Sequence, residues 1–193
     1  MGRIYGKRIL LREYQEEDFR YIRKWVNDPE ITDYLSDVFL YPHSLLTSEN
    51  FLNDMMEGKN PKTKGFVIGD MQTGKYIGQI DIFNIDWKNR CAEIGLVIGN
   101  PENLNKGYGR EAINLLLNFA FYRMNLHRME LEVYDYNIRG YRCYRSCGFL
   151  EEGRQRKKFF YQGEYRDKIQ MGILKEEFMA AQEKKKEEQQ TKM

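Results

Sequence analysis

The sequence predicts a mixed α+β fold: a central, mostly antiparallel twisted sheet with flanking helices and one βαβ crossover in its second half. Three observations carry this. Ala92 to Ile98 is an apolar run of strand length, followed by Glu111 to Met124 with Ile113, Leu116, Leu117, Ala120 and Met124 at helical spacing. Met129 to Tyr136 then alternates, Met129, Leu131 and Val133 against Glu130, Glu132 and Tyr134, which completes a strand–helix–strand unit. Elsewhere, short apolar runs flank hairpin signals at Gln72-Thr73-Gly74-Lys75 and Gln162-Gly163-Glu164.

The elements follow in order. Arg8 to Arg12 has an apolar strand core, and Glu16 to Val26 is an amphipathic helix that Asn27-Asp28-Pro29 stops, because proline cannot continue it. Glu30 to Ser44 lacks a clear period and reads as a loop or short helix. Thr47 to Glu57 is helical through Phe51, Leu52, Met55 and Met56. Phe66 to Ile68, Tyr76 to Ile85 and Cys91 to Ile98 form a meander of strands. After the crossover, a helix spans about Ile138 to Cys147, with Asn137 as N-cap and Gly148 just past its end. Phe149 to Tyr161 and Tyr165 to Leu174 make a closing hairpin. Residues 1–178 are expected as one domain, and 179–193 as a charged tail, frayed helix or disordered.

Composition narrows the function classes. At 193 residues with a net charge of +2, the chain is long enough for a real core and too weakly basic for a nucleic-acid footprint. Cys91, Cys143 and Cys147 are odd in number and lack partners for a zinc site, so reduced thiols, no metal and a cytoplasmic setting are expected. No apolar run reaches membrane-spanning length. The Phe, Tyr and Met content suggests association, with a homodimer or larger homo-oligomer expected. Charge is unevenly distributed. Asp28, Glu30, Asp33, Asp37, Glu49, Asp54 and Glu57 lie in a stretch without Lys or Arg, whereas bases outnumber acids from Arg139 to Lys168. One region would attract cations and the other anions, unless both are merely solvated surfaces.

The stretch that organises the rest is Asn105-Lys106-Gly107-Tyr108-Gly109-Arg110. A glycine-rich turn between strand and helix gathers N–H groups without intrahelical partners, and the helix dipole adds partial positive charge. That suits a phosphate or pyrophosphate, and glycines let it approach the backbone. In a parallel crossover, ligands gather at the carboxyl ends of the strands, here near Ile98 and Asn137.

On these residues the sequence resembles the GNAT superfamily of acyl-CoA N-acyltransferases. Leu104-Asn105-Lys106-Gly107-Tyr108-Gly109 matches the family's acyl-CoA loop, Q/R-x-x-G-x-G/A. Asn137 to Phe149 matches its Asn…Tyr…Gly-Phe signature. Asn125-Leu126-His127-Arg128 and Gly163-Glu164-Tyr165-Arg166-Asp167 are similar to the branch of ribosomal-protein N-terminal and spermidine acetyltransferases. The resemblance covers about Arg8 to Leu174. It departs at Leu104, where Gln or Arg is usual; only the backbone N–H of that position is expected to face the pyrophosphate.

The resemblance implies acetyl-CoA as cofactor, with its diphosphate on Lys106 to Arg110 and its neighbourhood at Leu104 and Asn105. Arg139 would help neutralise phosphates, Asn137 would hold the pantetheine, and Gly140 would leave room for it. Acetyl transfer to an amine needs a neutral nucleophile, donors for a tetrahedral oxyanion and a proton for the departing thiolate. Tyr144 is the candidate acid, and Glu93 the candidate base through a water. The backbone of Leu96, Val97 and Ile98 would supply donors. Asp33 and Asp37, with Glu93, are the candidate acceptor-binding residues for a cationic primary amine, either a polyamine or a protein N-terminus. Each role has a structural counterpart: packed aromatic for Tyr144, helix cap for Asn137, ion pair for Glu93. An acyl-CoA sensor without turnover, an aminoglycoside N-acetyltransferase and a nucleotide-binding domain are the competing readings.

Overall fold

The computed structural model describes residues 2–190. Its eight strands are β1 (Ile4–Tyr5), β2 (Ile9–Arg12), β3 (Lys64–Asp70), β4 (Tyr76–Asp86), β5 (Cys91–Ile98), β6 (Arg128–Tyr134), β7 (Leu150–Tyr161) and β8 (Glu164–Leu174). They form one sheet in the order β1-β2-β3-β4-β5-β6-β8-β7. β5 and β6 run parallel, and β1–β2, β2–β3, β3–β4, β6–β8 and β7–β8 run antiparallel. The helices are α1 (Phe19–Trp25), α2 (Pro29–Thr32), α3 (Leu45–Glu57), α4 (Tyr108–Tyr122), α5 (Ile138–Ser146) and α6 (Lys175–Gln190). This is the mixed, mostly antiparallel α+β architecture expected, with α4 as the crossover between the parallel strands. Among the described residues, no helix is long and apolar enough to cross a membrane.

The chain divides into two compact units. The first comprises Met1–Ile85 and Ile94–Leu116. Its core joins Ile22, Trp25 and Val26 of the first helical segment to Leu52 of α3, Val67 of β3, Tyr76 of β4 and Val97 of β5. Each large apolar side chain so buried contributes about 1.5–3 kcal/mol. The helix ends are set by side chains. Asp28 Oδ1 accepts from Glu30 N at 3.0 Å to start α2, and Ser44 Oγ accepts from Thr47 N at 3.0 Å to start α3. Gly58, at φ 65°, closes α3 in a conformation that disfavours a side chain. Arg12 and Asp18, both buried, form a two-pronged ion pair at 2.8 and 2.7 Å.

The second unit comprises Asp86–Glu93 and Leu117–Met193. Met129, Leu131 and Val133 of β6 are buried, the alternation read from the sequence, and Ile169, Met171 and Ile173 of β8 are buried as well. Phe121 of α4 packs against Phe178 of α6, ring centres 5.5 Å apart.

Three features add to the sequence reading. Ile4–Tyr5 adds an edge strand too short to show a period. Buried positions in β5 fall on Ala92 and Ile94 and then on Val97, so strict alternation is lost past Gly95. The charged segment after Leu174 is helical up to Gln190, and the remainder of the expected tail lies outside the described residues.

Candidate active site

The glycine loop belongs to the first unit. After β5, Asn100 Oδ1 accepts from Glu102 N at 2.9 Å and starts a short 3-10 turn over Pro101–Asn103. Leu104 N–H closes that turn by donating to Pro101 O at 3.0 Å. The preceding turn therefore engages the N–H that was expected to face a diphosphate. Asn105 and Gly107 take positive φ, 58° and 80°, and redirect the chain into α4 at Tyr108. The N–H groups of a helix's first turn have no intrahelical acceptors, and the dipole makes that end electropositive. Lys106 and Arg110 are exposed at the same turn, and Gly107, Tyr108 and Gly109 are half-buried.

Sequence reasoning missed Arg8. Its Nη1 donates to Lys106 O at 2.8 Å, its Nε pairs with Glu111 Oε2 at 3.0 Å, and its guanidinium lies 5.0 Å from the centre of the Tyr108 ring. Separated from the loop by 98 residues, it gives no local signal. It also missed Asp81 on β4, which accepts from Tyr14 Oη at 2.9 Å and from Gln79 Nε2 at 3.4 Å. Burial pushes the Asp81 carboxyl up to about 7 despite these donors and the Phe66 N–H.

The Asn…Tyr…Gly-Phe segment belongs to the second unit. Asn137 Oδ1 accepts from Gly140 N at 2.9 Å and caps α5. A Cβ on Gly140 would lie 2.8–3.0 Å from the Asn137 carboxamide. Any side chain at 140 would crowd the Asn137 cap, so glycine there keeps the cap intact. Tyr144 is half-buried, edge-on to Phe149 with ring centres 6.0 Å apart. Burial raises its phenol above the ordinary value, with Cys143 and Cys147 adding to the shift. Among the described residues, no protein group hydrogen-bonds its hydroxyl. Arg139 is exposed on the same helix.

Glu93 is half-buried and registers with Glu130 in the parallel ladder, as Cys91 does with Arg128. The recorded register ends at Glu93, although β5 continues to Ile98. Arg128 binds Glu130 Oε2 at 3.0 Å and also pairs with Glu152, so Glu93 lies along an ionic strip. Asp33 ends α2 half-buried, and Asp37 begins a 3-10 turn, exposed. His43 Nε2 bonds Val38 O at 2.9 Å with its ring stacked on Phe39, whereas at His127 the backbone N–H donates to Arg90 O at 2.7 Å.

Comparison with known proteins identifies the family. The acetyltransferase (GNAT) domain family matches residues 8–150. A spermidine N(1)-acetyltransferase of Vibrio cholerae is 31% identical over 174 residues, 90% of this chain and 97% of that protein. A crystal structure of spermidine N-acetyltransferase from Vibrio cholerae in complex with CoA and spermine superposes with a TM-score of 0.77 at 30% identity, covering 89% of this chain and 98% of the other. A putative ribosomal N-acetyltransferase of Bacillus subtilis is 32% identical over 59% of this chain and 62% of its own length. With its α+β sheet, its glycine loop ahead of α4 and its capped α5, the chain belongs to the GNAT family and is an N-acetyltransferase that uses acetyl-CoA.

Proposed function

We propose that this enzyme acetylates a primary amine of a cationic, polyamine-like small molecule by direct attack on acetyl-CoA. The observation that carries the acceptor class is charge: the segment from Asp28 to Glu57 holds seven acids and neither Lys nor Arg. Similarity to spermidine acetyltransferases over nine-tenths of the chain supports the same reading.

Each chemical requirement has a residue. Lys106 to Arg110 hold the diphosphate through backbone N–H groups, with Arg139 adding positive charge. Asp33 and Asp37 attract the acceptor's ammonium groups. An alkylamine of pKa about 10 must lose a proton before it attacks, and Glu93 takes it through a water. Backbone donors at Leu96, Val97 and Ile98 stabilise the tetrahedral oxyanion. The C–S bond then breaks, and Tyr144 gives its phenolic proton to the departing thiolate. A protein N-terminus as acceptor is the second reading, supported by the likeness to a putative ribosomal acetyltransferase. Exposed Val38, Leu40, Tyr41, Leu45 and Leu46 support self-association as well.

Thiol release from acetyl-CoA in the presence of spermidine, spermine, an aminoglycoside or peptides with free N-termini tests the proposal. Turnover with polyamines at the lowest Michaelis constants is expected. Turnover confined to peptides would replace the first reading with the second.

A further inference from the structure

We propose that Arg8 is a positioning residue for the cofactor loop, locking the Lys106–Gly107 peptide so that its N–H faces the diphosphate. The inference rests on the reading that this loop binds that group. The geometry begins with one bond: Arg8 Nη1 donates to Lys106 O at 2.8 Å. Lys106 C=O and Gly107 N–H share one peptide plane, and the chain contains no cis peptide among its described residues. In a trans peptide the two groups point in opposite directions. Holding the carbonyl toward Arg8 therefore turns Gly107 N–H away from it. Gly107 sits at φ 80°, where a glycine flanking peptide rotates at little steric cost, so the orientation needs an external lock.

Arg8 is itself fixed by surrounding groups. Its Nε pairs with Glu111 Oε2 at 3.0 Å, while Glu111 Oε1 accepts from the N–H groups of Lys7 and Arg8 at 2.7 and 2.9 Å. Burial alone would raise the Glu111 carboxyl, yet these donors hold it below the usual carboxylate value. The arrangement matters because Glu111 lies in the first turn of α4, where a bare carboxylate would repel a phosphate. Gly6 makes the approach possible: a Cβ there would lie 2.8 Å from Glu111 Oε1 and 2.9 Å from Ile9 O. The turn between β1 and β2 is thus seated on the cofactor loop through one arginine and one glutamate. A lysine has a single ammonium and lacks the planar fork that reaches Lys106 O and Glu111 together.

The test compares acetyl-CoA with S-acetylpantetheine, a thioester donor that lacks the diphosphate. In Arg8→Ala the Michaelis constant for acetyl-CoA should rise about tenfold or more, the loss expected of one charge-assisted hydrogen bond. Its kcat at saturating acetyl-CoA and its kcat/KM for S-acetylpantetheine should stay within about twofold, a change too small to count as one such bond. Arg8→Lys should recover only part of the loss, and Gly6→Ala, which pushes the turn off Glu111, should reproduce it. Equal losses on both donors would mean that Arg8 only supports the fold. Full rescue by lysine together with a steep salt dependence would make Arg8 a plain counter-ion. Either result overturns the proposal. If the wild-type enzyme itself uses both donors with the same Michaelis constant, the loop does not bind the diphosphate, and the underlying reading fails instead.

Discussion

Tyr14 donates its phenolic hydrogen to Oδ1 of Asp81 at 2.9 Å, joining the start of the chain to the middle of β4 across 67 residues. Gln79 Nε2 donates to the other oxygen, and Gln79 Oε1 in turn accepts from Tyr76 Oη, itself bonded by Trp25 Nε1 at 3.0 Å. Burial lifts the Asp81 carboxyl from its ordinary 3.8 to about 7. A carboxyl whose folded pKa is raised stabilises the fold below its ordinary pKa, and that contribution is lost as pH rises through the folded value. Between pH 4 and pH 7 the Asp81 term should therefore weaken. Carboxyls held low, such as Glu13 beside Arg3, act in the opposite sense at lower pH. Denaturant midpoints of wild type and Asp81→Asn isolate the effect: their difference should shift across that window, and a pH-independent difference would refute it.

Tyr144→Phe should leave acetyl-CoA affinity nearly intact and cut turnover by about 10²-fold or more, as loss of a general acid does. Because burial raises this phenol, wild-type activity should show no alkaline fall from Tyr144 below the ordinary tyrosine pKa of about 10. Steady-state rates across pH measure both, and an unchanged rate in the variant would remove Tyr144 from the mechanism.

Gly107→Val should abolish cofactor binding. A β-branched residue is strained at φ 80°, and its Cβ would meet Arg8 Nη2 at 3.3 Å. Calorimetric titration with CoA is the measurement, and normal binding would contradict the loop assignment.

Charge reversal at Asp33 and Asp37 should raise the Michaelis constant for spermidine more than for a neutral or singly charged amine. Parallel kinetics on the two acceptors decide the matter, since equal effects would reduce both residues to surface charges.

Asp18→Asn should destabilise the protein by about 3–5 kcal/mol, the usual cost of leaving one member of a buried ion pair uncompensated. Arg12 and Asp18 are 4% and 1% exposed, so little water reaches the stranded guanidinium. Urea unfolding measures this, and a loss below 1 kcal/mol, the range of exposed pairs, would show that water or a neighbour replaces the carboxylate.

Much of the fold was legible because its signals are contiguous. The alternation of Met129, Leu131 and Val133, the helical spacing of Ile113, Leu116, Leu117 and Ala120, and the hairpin glycine Gly74 each sit within one element, where backbone geometry dictates the pattern. Ile4–Tyr5 was invisible because two residues hold no period. Which residues of β5 are buried past Gly95 was hidden for a related reason: alternation assumes an unbroken pleat, and the buried positions there change step.

By itself, then, the sequence determined the order and kind of elements, the glycine turn before α4 and the capped helix that carries Tyr144, since all of these depend on neighbours along the chain. Only the tertiary structure decided that Leu104 N–H is consumed by its own turn, that Asn137 fills the space over Gly140, and that Arg8 holds Lys106. It also decided that Asp81 lies against Tyr14. Turn closure and side-chain packing depend on three-dimensional geometry that residue types leave open. The long-range bonds further require β2 to be laid down beside β3 and β3 beside β4, and no local spacing encodes that adjacency.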